Sequence, residues 1–177
     1  MLASRSPQRR AILEQLGVDF RVSHPDVDEL TEGDPREVVV ENALRKARAV
    51  EGPRVLGVDT DVVLDGRVLG KPRDEDHAQV LLRSLSGRTH EVWSGIALRS
   101  AACERTAAAV TRVHFRTLTA PELVWYLAGG EWRDRAGGYA IQGRGAALVR
   151  SIEGDFWNVV GLPVPELLEM APDLVAG

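Results

Sequence analysis

The chain has 177 residues, of which 44% are hydrophobic and 27% charged, and this composition indicates one globular domain with a substantial core. Its formal net charge of −4 at pH 7 argues against a general binder of nucleic acid polymers, which usually has a basic surface. No apolar run approaches the roughly 18 residues that span a membrane, and the first ten residues lack the pattern of a signal peptide. With Cys103 as its single cysteine, the chain fits a reducing cytoplasm.

Strand-like and helix-like segments alternate, which predicts an α/β protein with helices packed on a mixed sheet. A short strand in residues 1–4 leads into a helix that begins at Ser6-Pro7, and residues 18–23 form the next strand. Asp34-Pro35 starts the second helix by the same logic. We treat residues 1–177 as a single domain.

A β-branched run over residues 55–64 predicts the central strand, and Asp65-Gly66 is a strong signal for a hairpin turn. The remaining predicted elements are a returning strand (67–69), a helix (74–87), two strands (90–99 and 106–115), a helix after Thr119, a loop passing into a strand that ends near Ile152, and a closing helix (164–171).

The stretch "GRVLGKP" is a near-miss to a phosphate-binding P-loop. Only three residues separate Gly66 from Gly70, and Pro72 stands where a P-loop needs a hydroxyl, so we exclude that motif. A lysine on a tight turn, Lys71, is still able to meet a phosphate as a point charge. We also reject a dinucleotide-binding motif at Gly143, because the third glycine is missing.

Two readings are open for "LASRSPQRR" at the start of the chain. A strand that ends in serines and runs into a helix presents backbone N–H groups, hydroxyls and the positive end of the helix dipole to an anion. Arg9 and Arg10 in the first turn oppose the dipole, which favours such a site. The other reading is a capped surface helix with solvated arginines.

The central strand raises a second open question, because Asp59 and Asp61 project from the same face of it. A buried carboxylate is costly unless it meets a metal or a basic partner. The alternatives are a solvent-facing strand end, a divalent metal or general-base site, or a salt bridge.

Taken together, these motifs resemble the Maf family of nucleotide pyrophosphatases over some 165 residues. The stretches that carry the resemblance are "LASRSPQRRAILEQLG", "DVDE", "ALRKA", "GVDTDVVLDGRVLGKP", "LLRSLSGRTHEVWSGIAL", "FRTLT", "DRAGGYAIQGRGAALV" and "IEGDFWNVVGLPVPEL".

The resemblance implies an elongated α/β fold related to inosine-triphosphate pyrophosphatases, with two lobes around a central cleft. It implies hydrolysis of a nucleoside triphosphate to the monophosphate and pyrophosphate, with Mg²⁺ or Mn²⁺, by a cytoplasmic homodimer. "GYAIQG" is similar to the branch that acts on dTTP and UTP. The alternative is a nucleotide-binding protein of septum inhibition in which hydrolysis is incidental.

The family's functional positions carry over onto this sequence one by one. Asp59 matches the proton acceptor, and Asp59 and Glu29 are the expected metal ligands. The resemblance assigns substrate binding to Arg9, Lys46 and Lys71, and base selection to Gln8, Thr60 and Gln142. From the serine turn itself we expect Ser4 and Ser6 to bind the substrate as well.

This chain departs from the family's pattern at Gln8 and at Asp61. It has "SPQR" where relatives usually have "SPRR", so Gln8 replaces an arginine, and this puts the strictness of base selection in question. Relatives usually carry an aliphatic residue in place of Asp61.

On ideal strand geometry Thr60 faces away from Asp59.

Overall fold

The computed structural model describes residues 1–175 and shows a mixed α/β fold. The strands are β1 (Leu2–Ala3), β2 (Val22–Ser23), β3 (Arg54–Leu64), β4 (Arg67–Leu69), β5 (Thr89–Ser100), β6 (Glu104–Phe115) and β7 (Val149–Glu153). The α-helices are α1 (Pro7–Gln15), α2 (Pro35–Arg48), α3 (Glu75–Leu85), α4 (Ala120–Ala128), α5 (Phe156–Val160) and α6 (Val164–Met170). Short 3₁₀ helices occupy Ala136–Gly138, Gly143–Ala147 and Pro172–Leu174.

The strands form one seven-stranded sheet in the order β2-β1-β3-β5-β6-β7, with β4 paired to β3. β1 runs parallel to both β2 and β3, whereas the β3–β4 and β6–β7 pairs are antiparallel. The predicted mixed sheet with helices is therefore confirmed. Within residues 1–175, no helix has both the length and the apolar content to cross a membrane.

Local turn and cap chemistry explains where several elements begin. The Ser6 hydroxyl accepts from the Arg9 N–H at 3.4 Å, and the Asp34 carboxylate accepts from the first turn of α2. Asp65 and Gly66 have φ angles of 52° and 75°, as the predicted two-residue hairpin turn requires. These starts and this turn are confirmed.

One prediction of element extent is wrong, and one helix is missing from the predicted elements. The strand expected over 18–23 covers only Val22–Ser23, because the Val18 N–H still bonds to the Leu13 carbonyl at the end of α1. The helix Phe156–Val160 was not predicted. Asp155 precedes it and caps it, because its carboxylate accepts from the backbone N–H groups of the second and third residues of α5, each at 3.0 Å.

The chain folds into two compact units, each described by itself. Unit 1 comprises Met1–Thr60, Trp93–Ala109 and the chain from Gly161 onward, and unit 2 comprises Asp61–Val92 and Val110–Val160. The organisation as one domain stays a prediction from the sequence.

In unit 1, helix α2 lies very close to the sheet. A Cβ atom added to Gly57 on β3 would lie 2.1 Å from the Ala43 carbonyl oxygen, and one added to Gly95 on β5 would lie 2.2 Å from the Val39 carbonyl oxygen. Glycine at both positions therefore permits this approach. The small core that results consists of Ala3, Ala43, Ala47, Val50, Val55 and Ala97.

In unit 2, the β3–β4 hairpin packs into a larger aromatic and aliphatic core. Tyr126 and Leu82 are fully buried there, and Trp132 is 5% exposed. Gly137, with a φ of 66°, lies against Val62 and donates its N–H to the Gly70 carbonyl at 3.1 Å. That bond fixes the backbone immediately before Lys71.

Candidate active site

Asp59 lies on β3 with only 5% of its surface exposed. Two residues one turn apart on α2 reach it: Lys46 Nζ is 2.6 Å from Oδ1, and Asn42 Nδ2 donates to Oδ2 at 2.9 Å. The close approach of α2 at Gly57 brings both side chains within hydrogen-bonding distance. Of the alternatives left open above, a solvent-facing strand end is wrong for Asp59, which instead has a basic partner.

Glu29 meets the same ammonium group, with its Oε1 2.8 Å from Lys46 Nζ. The segment that carries Glu29 is tied to α2 at the residue on either side. Arg45 Nη1 donates to the Asp28 carbonyl at 2.8 Å, and Asn42 bonds both the N–H and the carbonyl of Leu30, at 2.7 and 3.0 Å. Helix α2 thus brings the two predicted carboxylates, Glu29 and Asp59, onto one cation.

Arg9 lies at the centre of a second polar cluster in unit 1. Its guanidinium donates to the Gly161 carbonyl at 2.8 Å, to Thr60 Oγ1 at 3.0 Å and to Ser4 Oγ at 3.2 Å. Thr60 Oγ1 is also 2.8 Å from Ser94 Oγ, and Ser94 is fully buried. The planar fork of the guanidinium is thereby held in one orientation.

Asp59 and Thr60 are adjacent in sequence and have different hydrogen-bond partners. Asp59 bonds to residues of α2, whereas Thr60 bonds to Arg9, Ser94 and, at 3.4 Å, to the Gly161 carbonyl. This separation is what the alternation of side chains along a strand predicts.

The serines and Gln8 organise the turn before α1. The Ser6 N–H donates to Ser4 Oγ at 3.1 Å, and the Ser6 hydroxyl donates to Gln8 Oε1 at 3.2 Å. The same hydroxyl oxygen accepts from the Arg9 N–H as the helix cap. Gln8 is therefore part of the capped turn.

The other two predicted site residues, Lys71 and Gln142, belong to unit 2 and are both exposed. Lys71 follows β4, where the backbone is held at Gly70 as described above. Gln142 immediately precedes the 3₁₀ helix Gly143–Ala147. Their participation in one site with Asp59 stays a prediction.

Glu131 holds the backbone that follows Gln142. Its Oε1 accepts from the Arg144 N–H at 3.0 Å and its Oε2 from the Gly145 N–H at 3.2 Å. Gly143 has a φ of 64°, and a Cβ atom there would lie 2.6 Å from Glu131 Oε1. A left-handed glycine therefore lets the carboxylate reach both amides.

Buried aromatic residues support the other side of Gln142. Tyr126 accepts from the Ala140 N–H at 3.2 Å, and the Tyr139 hydroxyl lies 2.8 Å from His90 Nε2. Burial raises the pKa of Tyr126 to about 12 and raises that of Tyr139 further. Burial, and secondarily the charge of His114, lowers the pKa of His90 to about 4, so its imidazole is neutral at pH 7.

The oxygen donors of unit 1 suit a hard divalent cation. Across residues 1–175, no group of three or more His, Cys, Asp and Glu side chains could enclose a metal ion. Glu29 and Asp59 nevertheless converge on one cationic group. Mg²⁺ commonly uses one or two carboxylates and takes its other ligands from phosphates and water. The pair therefore fits a metal that the substrate helps to hold.

Residue-level reasoning on the sequence missed three polar residues: Asn42, Ser94 and Glu131. A signal existed for Asn42, because it precedes Lys46 by four residues and so lies on the same face of α2. Ser94 and Glu131 gave no such signal, since their partners are distant in sequence.

Comparisons with known proteins place the chain as a whole in a family. The family model described as Maf-like protein matches residues 1–174. A dTTP/UTP pyrophosphatase of Symbiobacterium thermophilum is 48% identical over 96% of this chain and 91% of that protein. One from Anaeromyxobacter sp. (strain Fw109-5) is 49% identical over 96% and 86%, and one from Thermus thermophilus is 45% identical over 96% and 91%.

A solved structure, that of the Staphylococcus aureus Ham1 protein, matches 64% of this chain and 70% of that one at 18% identity, with a TM-score of 0.45. A likeness at this level carries no argument about the present chain. The family model, in contrast, matches nearly every residue, and relatives at 45–49% identity align with 96% of the chain. The protein is a member of the Maf family.

Proposed function

We propose that this chain is a nucleoside triphosphate pyrophosphatase that hydrolyses dTTP and UTP to the monophosphate and pyrophosphate. The observation that carries the proposal is the buried Asp59 carboxylate, whose two oxygens are bound by Lys46 and Asn42. Relatives at 45–49% identity over nearly the whole chain are named dTTP/UTP pyrophosphatases, which supports the same activity here.

In this proposal Asp59 is the general base. A carboxylate oxygen has two lone pairs, so each Asp59 oxygen that accepts a bond from α2 keeps capacity for a further donor. A water bound there gives its proton to Asp59 and attacks the α-phosphorus, and the bond to the departing pyrophosphate breaks. Positioned general bases typically contribute about 10²–10⁴-fold to such a rate.

The start of α1 would receive the triphosphate. The first-turn N–H groups and the helix dipole favour an anion, and Ser4 and Ser6 place hydroxyls at the same turn. Arg9 lies against Ser4 with a fixed guanidinium orientation. Together with Lys46 and Lys71, these groups would neutralise the phosphates.

We further propose that Glu29 and Asp59 hold one Mg²⁺ or Mn²⁺. Both carboxylates lie within 2.8 Å of Lys46 Nζ, so a pair of hard oxygen donors is already assembled. When bound, such an ion offsets the negative charge that develops on the phosphate oxygens.

For base selection we propose Gln8, Thr60 and Gln142. Thr60 is bonded to Arg9, and Gln8 to the cap of α1, so both are connected to the turn that would hold the triphosphate. Gln142 is exposed at the start of a clamped backbone segment.

The family resemblance also leads us to propose a cytoplasmic homodimer. The single exposed cysteine is compatible with a reducing compartment. Light scattering coupled to size exclusion gives the molar mass in solution, and a monomeric mass at assay concentrations would contradict the dimer.

The deciding experiment is a pyrophosphate-release assay on purified protein with dTTP, UTP, CTP, GTP and ATP, each with Mg²⁺ or Mn²⁺. We expect release from dTTP and UTP, and a loss of at least about 10²-fold in Asp59→Asn with an unchanged circular dichroism spectrum. The matched control is Asp65→Asn, the same chemical change at a turn residue whose side chain is 67% exposed.

Two outcomes would contradict the proposal. Full activity in Asp59→Asn would remove the general-base role. Nucleotide binding without release of pyrophosphate from any of the five triphosphates would favour the alternative, a nucleotide-binding protein of septum inhibition.

A further inference from the structure

Asn42 is a buried polar residue whose contacts lie outside its own helix. It is 1% exposed, and its amide meets two separate parts of unit 1. Oδ1 accepts from the Leu30 N–H at 2.7 Å, while Nδ2 donates to the Leu30 carbonyl at 3.0 Å and to Asp59 Oδ2 at 2.9 Å. One side chain therefore joins the segment after Glu29 to the carboxylate on β3.

The donor and acceptor pattern requires an amide at this position. The Nδ2 group has two N–H bonds, and both are used, one on Leu30 and one on Asp59. The carbonyl oxygen must face the Leu30 N–H, which fixes which end of the amide faces Asp59. A carboxylate of the same shape would retain the acceptor and lose both donors.

We propose that Asn42 is a positioning residue, which fixes the Asp59 carboxylate and the Glu29 segment in one relative arrangement. Lys46 lies one turn further along α2 and bonds Asp59 Oδ1 and Glu29 Oε1, so the two residues hold Asp59 and the segment of Glu29 and Leu30 from adjacent turns. This role rests on the proposed function, because it acts through Asp59 and Glu29.

Removing the Asn42 amide should affect turnover and substrate binding differently. Without the Asn42 amide, Asp59 keeps a bond on Oδ1 alone and gains freedom to rotate about it. Leu30 loses both of its bonds to α2, which releases the segment next to Glu29. The hydrogen bonds of Arg9 to Ser4 and to the Gly161 carbonyl do not involve Asn42, so these contacts at the start of α1 remain.

The test compares Asn42→Ala and Asn42→Asp with an Arg45→Ala control. Arg45 anchors the same segment through the Asp28 carbonyl and does not bond to Asp59. We expect kcat for dTTP to fall about 10–100-fold in both Asn42 variants, the usual effect of losing a partner that orients a site ligand. We expect KM to stay within about threefold, and Arg45→Ala to keep kcat within about threefold of the wild type.

The order of the two Asn42 variants separates hydrogen bonding from packing. Asn42→Asp preserves the size of the side chain, so it also covers the case in which Asn42→Ala does not fold. A positioning role predicts that Asn42→Asp is at least as slow as Asn42→Ala, because it lacks the donor to Asp59. A space-filling role predicts that Asn42→Asp is close to the wild type.

Near-wild-type kcat in Asn42→Asp, or an equal loss of kcat in Arg45→Ala, would overturn the inference. If the wild-type chain releases no pyrophosphate, the proposed function fails, and amide hydrogen exchange then tests the clamp alone. Faster exchange of the Leu30 amide in Asn42→Ala, which removes its acceptor, with slow exchange retained in Arg45→Ala, supports the clamp, and unchanged exchange at Leu30 overturns it.

Discussion

Replacing Lys46 by methionine should destabilise the protein as well as inactivate it. The change keeps most of the length of the side chain and removes its charge. Lys46 and Asp59 have only 9% and 7% of their side chains exposed, so Asp59 would be left as a buried carboxylate without its cation. Glu29 is 47% exposed and can instead be solvated by water.

The expected loss of stability follows from the burial of the Lys46–Asp59 ion pair. Removing one partner of a buried ion pair typically costs about 3–5 kcal/mol. Because Asp59 keeps the hydrogen bond from Asn42, we expect the lower end, about 3 kcal/mol. For a chain of 177 residues this corresponds to a fall in Tm of roughly 6–12 °C.

Equilibrium unfolding in urea at pH 7 measures this free energy. The double variant Lys46→Met/Asp59→Asn has no buried charge, so we expect it to be more stable than Lys46→Met alone. Arg48→Met on the same helix is the control, because its ion pair with Glu104 is exposed and should contribute little. A loss below about 1 kcal/mol in Lys46→Met, or a double variant less stable than the single one, would refute the reasoning.

Three further predictions concern separate parts of the chain. Gly57→Ala places a methyl group 2.1 Å from the Ala43 carbonyl oxygen, which forces α2 away from the sheet. The free energy of unfolding, measured in urea, should fall by at least about 1–3 kcal/mol. His90 has a pKa of about 4 in the fold against 6.5 when exposed, so below pH 6.5 the unfolded chain binds a proton that the folded chain does not. As the pH is lowered from 7 to 5, the free energy of unfolding should therefore fall by about 2 kcal/mol. His90→Gln should reduce this loss. Glu131→Ala releases the backbone after Gln142, and should change the ratio of kcat/KM between dTTP and CTP more than it changes kcat for dTTP.

The first two of these predictions have a matched control variant. Gly70→Ala adds the same methyl group where nothing lies within 4 Å, so equal destabilisation by both changes would contradict the packing argument. His24→Gln removes an imidazole from an exposed position and is the matched control for His90→Gln. If His90→Gln leaves the pH dependence of stability unchanged, His90 is not its source. An unaltered dTTP to CTP ratio in Glu131→Ala would disconnect Glu131 from base selection.

The parts of the fold that could be predicted from the sequence depend on interactions between near neighbours. Ser6 and Asp34 start helices because a side-chain oxygen meets an N–H two or three residues later. Asp65-Gly66 closes a hairpin because both residues tolerate positive φ. The helix at Phe156–Val160 is short, and its apolar, aromatic sequence carries no periodic signal, so it was missed although Asp155 caps it in the same way.

By itself, the sequence determined the α/β class, the order of most elements and, through the family motifs, the positions expected to carry the chemistry. Only the tertiary structure decided that Asp59 is buried, that Lys46 bridges it to Glu29, and that Asn42 joins the same two segments. The reason is physical. Whether a strand carboxylate faces water or a lysine depends on how closely another element packs on the strand, and here the absence of a side chain at Gly57 permits that approach.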